Sequence, residues 1–156
     1  MKSQEDFQKI LNKTFQEKSK IKNSVYFFRV PRTSPEYGDA NSMFFATRYD
    51  YLRIAKAMLD DWQNDTCAGK YLKTIYKKRI PKNDKYTDDK GSFFYSKGYA
   101  GQFYTDFPKL KDRAVMAMEG ASGQSIIIDF DKGKINVINS IHTNYDWKKI
   151  AISKFN

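Results

Sequence analysis

This chain has one cysteine, Cys67, and one histidine, His142. A lone thiol permits no internal disulfide, and the pair cannot build a Cys/His metal cluster. No metal or other cofactor is therefore expected, and the redox compartment stays open. Long apolar runs are missing too. Nowhere do about eighteen apolar residues follow one another, the length that a membrane-crossing helix needs, so no transmembrane segment is expected. The opening residues Met1-Lys2-Ser3-Gln4-Glu5-Asp6 lead into an amphipathic stretch rather than an apolar one. No signal peptide is expected on this chain, and its localisation is left open. The phosphate loop Gly-x-x-x-x-Gly-Lys, the dinucleotide signature Gly-x-Gly-x-x-Gly and the nucleophile elbow Gly-x-Ser-x-Gly are absent as well.

What is present suffices for a real core. The chain has 156 residues, 40% of them hydrophobic and 16% aromatic, which fits a single domain over residues 1–156 rather than a disordered tail. The formal net charge of +10 attracts polyanions such as nucleic acid or an anionic membrane surface. A lysine-rich, solvated surface accounts for the same excess, and nucleic acid is not the expected partner. The segment Lys70 to Lys85 carries both readings, as a phosphate-facing helix or a solvated helix face. The aromatic cluster Phe93-Phe94-Tyr95 with Tyr99, Phe103 and Tyr104 does likewise, as a base-stacking platform or as sheet core with exposed tyrosines.

Periodicity sets the elements. Phe7, Ile10, Leu11 and Phe15 recur at helical spacing and predict a helix over about Gln4 to Glu17. Ser24 to Val30 reads as a strand ended by Pro31, and Pro31 to Ser42 as a loop. Thr47 caps the next helix, with Asp50 three residues on at the positive end of the dipole. Leu52, Ala55, Met58, Leu59 and Trp62 line its apolar face, and Asp60 to Asp65 breaks it. A further helix spans about Cys67 to Lys78, followed by a polar loop over Pro81 to Gly91. Tyr99 to Tyr104, Ala114 to Met118, Ser125 to Phe130 and Lys134 to Ile138 read as strands. Asp131-Lys132-Gly133 forms the turn between the last two. Trp147 to Phe155 reads as a closing helix. Helices followed by an antiparallel meander predict an α+β fold.

Gly120-Ala121-Ser122-Gly123-Gln124 leads into the strand Ser125 to Asp129. Two glycines around a serine admit a ligand close to the backbone, and they equally serve a simple turn. His142 sits in a loop after a strand, where a surface role is the ordinary one. One Ser-x-x-Lys occurs, Ser19-Lys20-Ile21-Lys22, a match that a lysine-rich chain produces by chance.

Three segments in order resemble one family. Met43 to Ala55, running Met-Phe-Phe-Ala-Thr-Arg-Tyr-Asp-Tyr-Leu-Arg-Ile-Ala, is similar to its Ala-Thr…Asp…Arg helix start. Gly98-Tyr99-Ala100-Gly101-Gln102-Phe103 is similar to its aromatic Tyr-Gly-x-Gly strand. Gly120 to Asp129 is similar to its Gly-x-x-Gly-Gln strand entry, with Lys134 to Asn139 as partner strand. On these the chain resembles the C-terminal part of the class C β-lactamase-related, penicillin-binding-protein-like serine hydrolases. The family includes esterases, D-aminopeptidases and amide-oligomer hydrolases.

The resemblance implies an α+β domain whose antiparallel sheet packs with helices and is incomplete in this chain. It implies amide or ester hydrolysis through an acyl-enzyme, built from a Ser-x-x-Lys, a Tyr-x-Asn and a Lys-Thr-Gly or His-x-Gly strand. Only the third element maps here. Ala121, Ser122 and Gly123 fall on it, and the backbone N–H of Gln124 on the oxyanion position. Ala121 stands where the family has a basic residue, and because Ser-x-x-Lys and Tyr-x-Asn are absent at the expected places the chain alone is expected to be inactive. The implied partners are an N-terminal half or a second copy through an open edge strand, and a small amide, ester or peptide ligand. The alternative is a non-catalytic basic module that binds cell-wall peptide or an anionic polymer.

Overall fold

The computed structural model describes residues 4–31, 40–82, 96–110, 112–120, 124–139 and 154–155. It is an α+β structure with antiparallel sheets, and its packing divides the chain into two units, Met1–Ile54 and Ala55–Asn156.

In the first unit, helix α1 covers Gln4–Ser19, with Glu5 and Asp6 in its first turn and Lys18 in its last, the order the helix dipole favours. It ends where Lys20 turns left-handed at φ 55°. Ile10, placed on the apolar face by its spacing, is 56% exposed, while Phe7, Leu11 and Phe15 are half-buried. Strand β1 (Tyr26–Pro31) pairs antiparallel with β2 (Ala40–Phe45), from Tyr26 opposite Phe45 to Pro31 opposite Ala40. The predicted loop over Pro31 to Ser42 therefore gives Pro31 to β1 and Ala40 to Ser42 to β2, a strand whose pairing partner is remote in sequence and leaves no local signal. Rings join the pieces. Phe7 meets Phe27 edge-on at 5.7 Å, and Phe15 meets Phe44 at 5.4 Å.

Helix α2 (Arg48–Gln63) starts as its cap predicts, with Asp50 N–H donating to Thr47 Oγ1 at 3.2 Å. It runs on from the first unit into the second and ends at Asn64 and Asp65, where Asp65 adopts φ 54°. Helix α3 (Cys67–Lys77) follows at once. Its cap is Thr66, whose Oγ1 accepts from Gly69 N–H at 3.2 Å. Gly69 is there for space, because a Cβ on it would stand 1.9 Å from the Asp61 carbonyl oxygen.

The second unit is built on a six-stranded antiparallel meander in chain order. Its strands are β3 (Ile80–Pro81), β4 (Gly98–Ala100), β5 (Phe103–Thr105), β6 (Val115–Glu119), β7 (Ser125–Asp129) and β8 (Lys134–Ile138). The single strand expected over Tyr99 to Tyr104 is a hairpin instead. Gly101 and Gln102 both take positive φ, 51° and 76°, which is what a two-residue turn requires at both central positions. Pro81, lacking an N–H, lies in β3 at the end of the sheet order.

β7 is buried along its whole length, and β6 over Val115 to Ala117. One face of the sheet gathers Val115, Ala117 and Ile127 with Phe107, Leu110 and Phe155 into the core. On the opposite face Phe130 stacks on Trp62 of α2 at 4.3 Å. Tyr76 of α3 donates its hydroxyl to the Arg113 carbonyl at 3.1 Å. Buried Asp129 is paired with Arg113 at 3.0 Å, and Arg113 also donates to the Phe155 carbonyl at 2.9 Å. Of the predicted closing helix over Trp147 to Phe155, all but Lys154 and Phe155 lies outside the described residues.

Candidate functional site

The segment singled out by sequence joins β6 to β7. Here the two strands pair residue for residue from Val115 opposite Asp129 to Glu119 opposite Ser125. Beyond that pair the Gly120 N–H donates to the Gln124 carbonyl at 2.8 Å and closes the connection. A Cβ on Gly120 would come within 2.7 Å of Gln124 Oε1. β8 lies on the other side of β7, with Ser125 opposite Ile138 and Asp129 opposite Lys134. The turn between them is tied by Lys132 N–H donating to Asp129 Oδ1 at 2.9 Å, and Gly133 takes φ 65°. The geometry thus brings Gly120 and Gln124 to one end of a three-strand ladder whose central strand, β7, is buried. Ala121, Ser122 and Gly123 lie outside the described residues, as does His142.

At the same end of the ladder Ser125 is 2% exposed, and among the described residues its hydroxyl has no hydrogen-bond partner. A hydroxyl buried in this way costs stability that an apolar residue would not.

Ser19 and Lys22 are not brought to a comparable place. Ser19 is the last residue of α1, at the carbonyl end of the helix. A serine nucleophile activated by lysine is helped by a helix N-terminus, whose N–H groups favour developing negative charge. The opposite pole opposes it. Lys22 instead contributes its backbone N–H to Asp50 at 2.9 Å.

A second polar group was not foreseen. Lys82 Nζ donates to Ser96 Oγ at 3.1 Å and lies 4.9 Å from the centre of the Tyr104 ring. Burial pushes the Lys82 ammonium below its ordinary pKa and Lys97 adds to that, while Glu119 opposes it. Burial pushes the Tyr104 phenol up to about 12, helped by the charge of Glu119 and by Tyr99. A serine beside a desolvated lysine resembles an activated nucleophile, but Ser96 is only 1% exposed, so no substrate atom reaches it. The two residues are fourteen apart in sequence, and nothing in their spacing announces the pairing.

Tyr51 and Tyr76 are also pushed up by burial. A phenol held protonated does not serve as a phenolate-like base, so Tyr51, Tyr76 and Tyr104 are poor substitutes for the base that the resembled family takes from its Tyr-x-Asn. Among the described residues no group of three His, Cys, Asp or Glu side chains is placed to hold a metal ion. No helix among them is long and apolar enough to cross a membrane. No family model, curated protein or solved structure matches this chain.

Proposed function

We propose that this chain is the C-terminal, substrate-strand part of a penicillin-recognising serine hydrolase. In this reading the serine nucleophile and its base come from a different polypeptide segment. What supports the reading is the β6–β7–β8 ladder with Gly120 and Gln124 closing its end, the stretch whose sequence resembles the family's strand entry. In this reading the backbone N–H of Gln124, the residue before buried strand β7, takes the oxyanion position. The role of the chain is then to orient an amide or ester carbonyl and stabilise its tetrahedral intermediate, and attack is left to the missing serine. Strand β8 fits this division of labour. Among the described residues it pairs only with β7, which leaves its other edge to a strand from an N-terminal half.

One observation favours the second reading, a binding module without catalysis. Ala121 takes the place of a basic residue, so the charge that would hold a substrate carboxylate is missing.

The test has two arms. The purified chain is incubated with a fluorescent penicillin and with an activated-ester probe, and no covalent labelling is expected. Stoichiometric labelling at Ser19 or Ser122, located by peptide mass, overturns the division of labour. Coexpression with the polypeptide encoded immediately upstream is expected to give a complex that labels on that partner's serine. A partner without Ser-x-x-Lys, or no complex, leaves the binding module as the better account.

A further inference from the structure

Helix α3 carries a surface that the hydrolase reading does not use. From Cys67 to Lys82 the chain has six basic residues and no acidic one, more than half of the whole formal excess of +10. The helix sorts them. Leu72 and Gly69 are buried, whereas Lys70, Tyr71, Thr74, Lys77 and Lys78 are all exposed. Lys70, Thr74 and Lys77, and likewise Tyr71, Thr74 and Lys78, are spaced by three or four residues, so the five lie together on one outward stripe. Lys73 is set apart by its ion pair with Asp65 at 2.8 Å, and Arg79 by its pair with Asp106 at 2.9 Å. Among the described residues Lys70, Lys77 and Lys78 make no ion pair. By contrast, Lys9 and Lys13 on α1 and Lys56 on α2 each sit four residues from an acid that they contact.

Two exposed apolar side chains accompany the lysines. Tyr71 is 67% exposed on the stripe, and Ile80, just past the helix, is 62% exposed. Lysine ammoniums on long stems beside an exposed tyrosine suit the interface of an anionic bilayer, where the ring sits at headgroup depth and the charges meet lipid phosphates. Among the described residues the stripe offers lysines but no unpaired arginine, Arg79 being held by Asp106, and the arginine fork is the group that best matches a polynucleotide phosphate. We infer that the exposed face of α3 docks this unit peripherally on membranes rich in anionic lipid. This docking does not depend on the hydrolase reading.

The experiment is cosedimentation with vesicles of phosphatidylcholine alone and of phosphatidylcholine with phosphatidylserine, at low and at high salt. Binding is expected only to the anionic vesicles and is expected to weaken with salt. Near such a surface each lysine is worth about fivefold in partitioning, so K70Q/K77Q/K78Q should bind about a hundredfold more weakly. A control with the same charge removed from α1, K9Q/K13Q/K18Q, should lose less than tenfold. Tyr71→Ala should weaken binding a further few-fold and leave the salt dependence unchanged. Circular dichroism of each variant checks that the helices are kept. Equal losses in the two triple variants would show general charge rather than a docking face and overturn the inference. So would absence of binding to anionic vesicles, or tighter binding to a single-stranded oligonucleotide through the same lysines.

Discussion

The two units of this chain are held together by different means. Among the described residues, Met1–Ile54 buries Ile21, Val25 and Ile54 as its apolar core, whereas Ala55–Asn156 buries fifteen apolar side chains around β6 and β7. The first unit makes up the difference with one carboxylate. Asp50 is fully buried and collects the backbone N–H groups of Lys22 and Asn23, the Asn23 amide, the Thr47 hydroxyl and the Arg53 guanidinium, all within 3.2 Å. Burial alone would raise its pKa. The hydrogen bonds from Lys22, Asn23 and Thr47 outweigh it and hold the carboxyl at about 2. Where a small unit has little apolar surface to bury, a saturated polar hub can fix its chain segments, and its stability then depends on one ionisation.

The largest expected effect tests the sheet side of this contrast. Ile127→Ala, at a residue 0% exposed in the centre of β7, should cost about 2–5 kcal/mol by lost transfer energy and a cavity. Denaturant unfolding measures it, and a loss below about 1 kcal/mol would mean that the core is not packed as described. Next comes the hub. Asp50→Asn turns an acceptor of five donors into a group that must itself donate, and should cost about 1–3 kcal/mol. Hydrogen exchange should show that loss in residues 4–54 while the amides of β6 and β7 stay protected.

The same residue gives a pH signature. The folded pKa of Asp50 lies below the ordinary 3.8, so its contribution is complete above that value and is lost as pH falls towards about 2. Acid should therefore open α1 and the β1–β2 hairpin in that window, and Asp50→Asn should flatten the Asp50-dependent part of the profile. The smallest effect is at a helix end. Thr66→Ala removes the cap of α3 and should cost about 1 kcal/mol, read as a shift in the denaturation midpoint.

Much of the architecture could be read from residue patterns. The Thr47 and Asp50 start of α2, the apolar face of α3 and the three strands β6, β7 and β8 all follow from spacing within one element. The candidate segment Gly120 to Gln124 was legible for the same reason, as a glycine-bounded break before an apolar run. The failures have physical causes. Ala40 to Phe45 forms a strand because Tyr26 to Pro31 pairs with it, and its own Asn41 and Ser42 argue for a loop. Tyr99 to Tyr104 looks continuous by its aromatics, yet two consecutive positive φ angles reverse the chain in the middle.

By itself, then, the sequence determined helices α1 to α3, the three strands β6 to β8 and the basic excess. Each is written in periods or motifs a few residues long. The three-dimensional structure alone decided that Asp50 ties together segments 27 and 28 residues apart, that Lys82 meets Ser96, and that Lys73 pairs with Asp65 while Lys70, Lys77 and Lys78 face outward. Hydrogen bonds and burial across long separations depend on where the chain returns in space, and no local pattern records that.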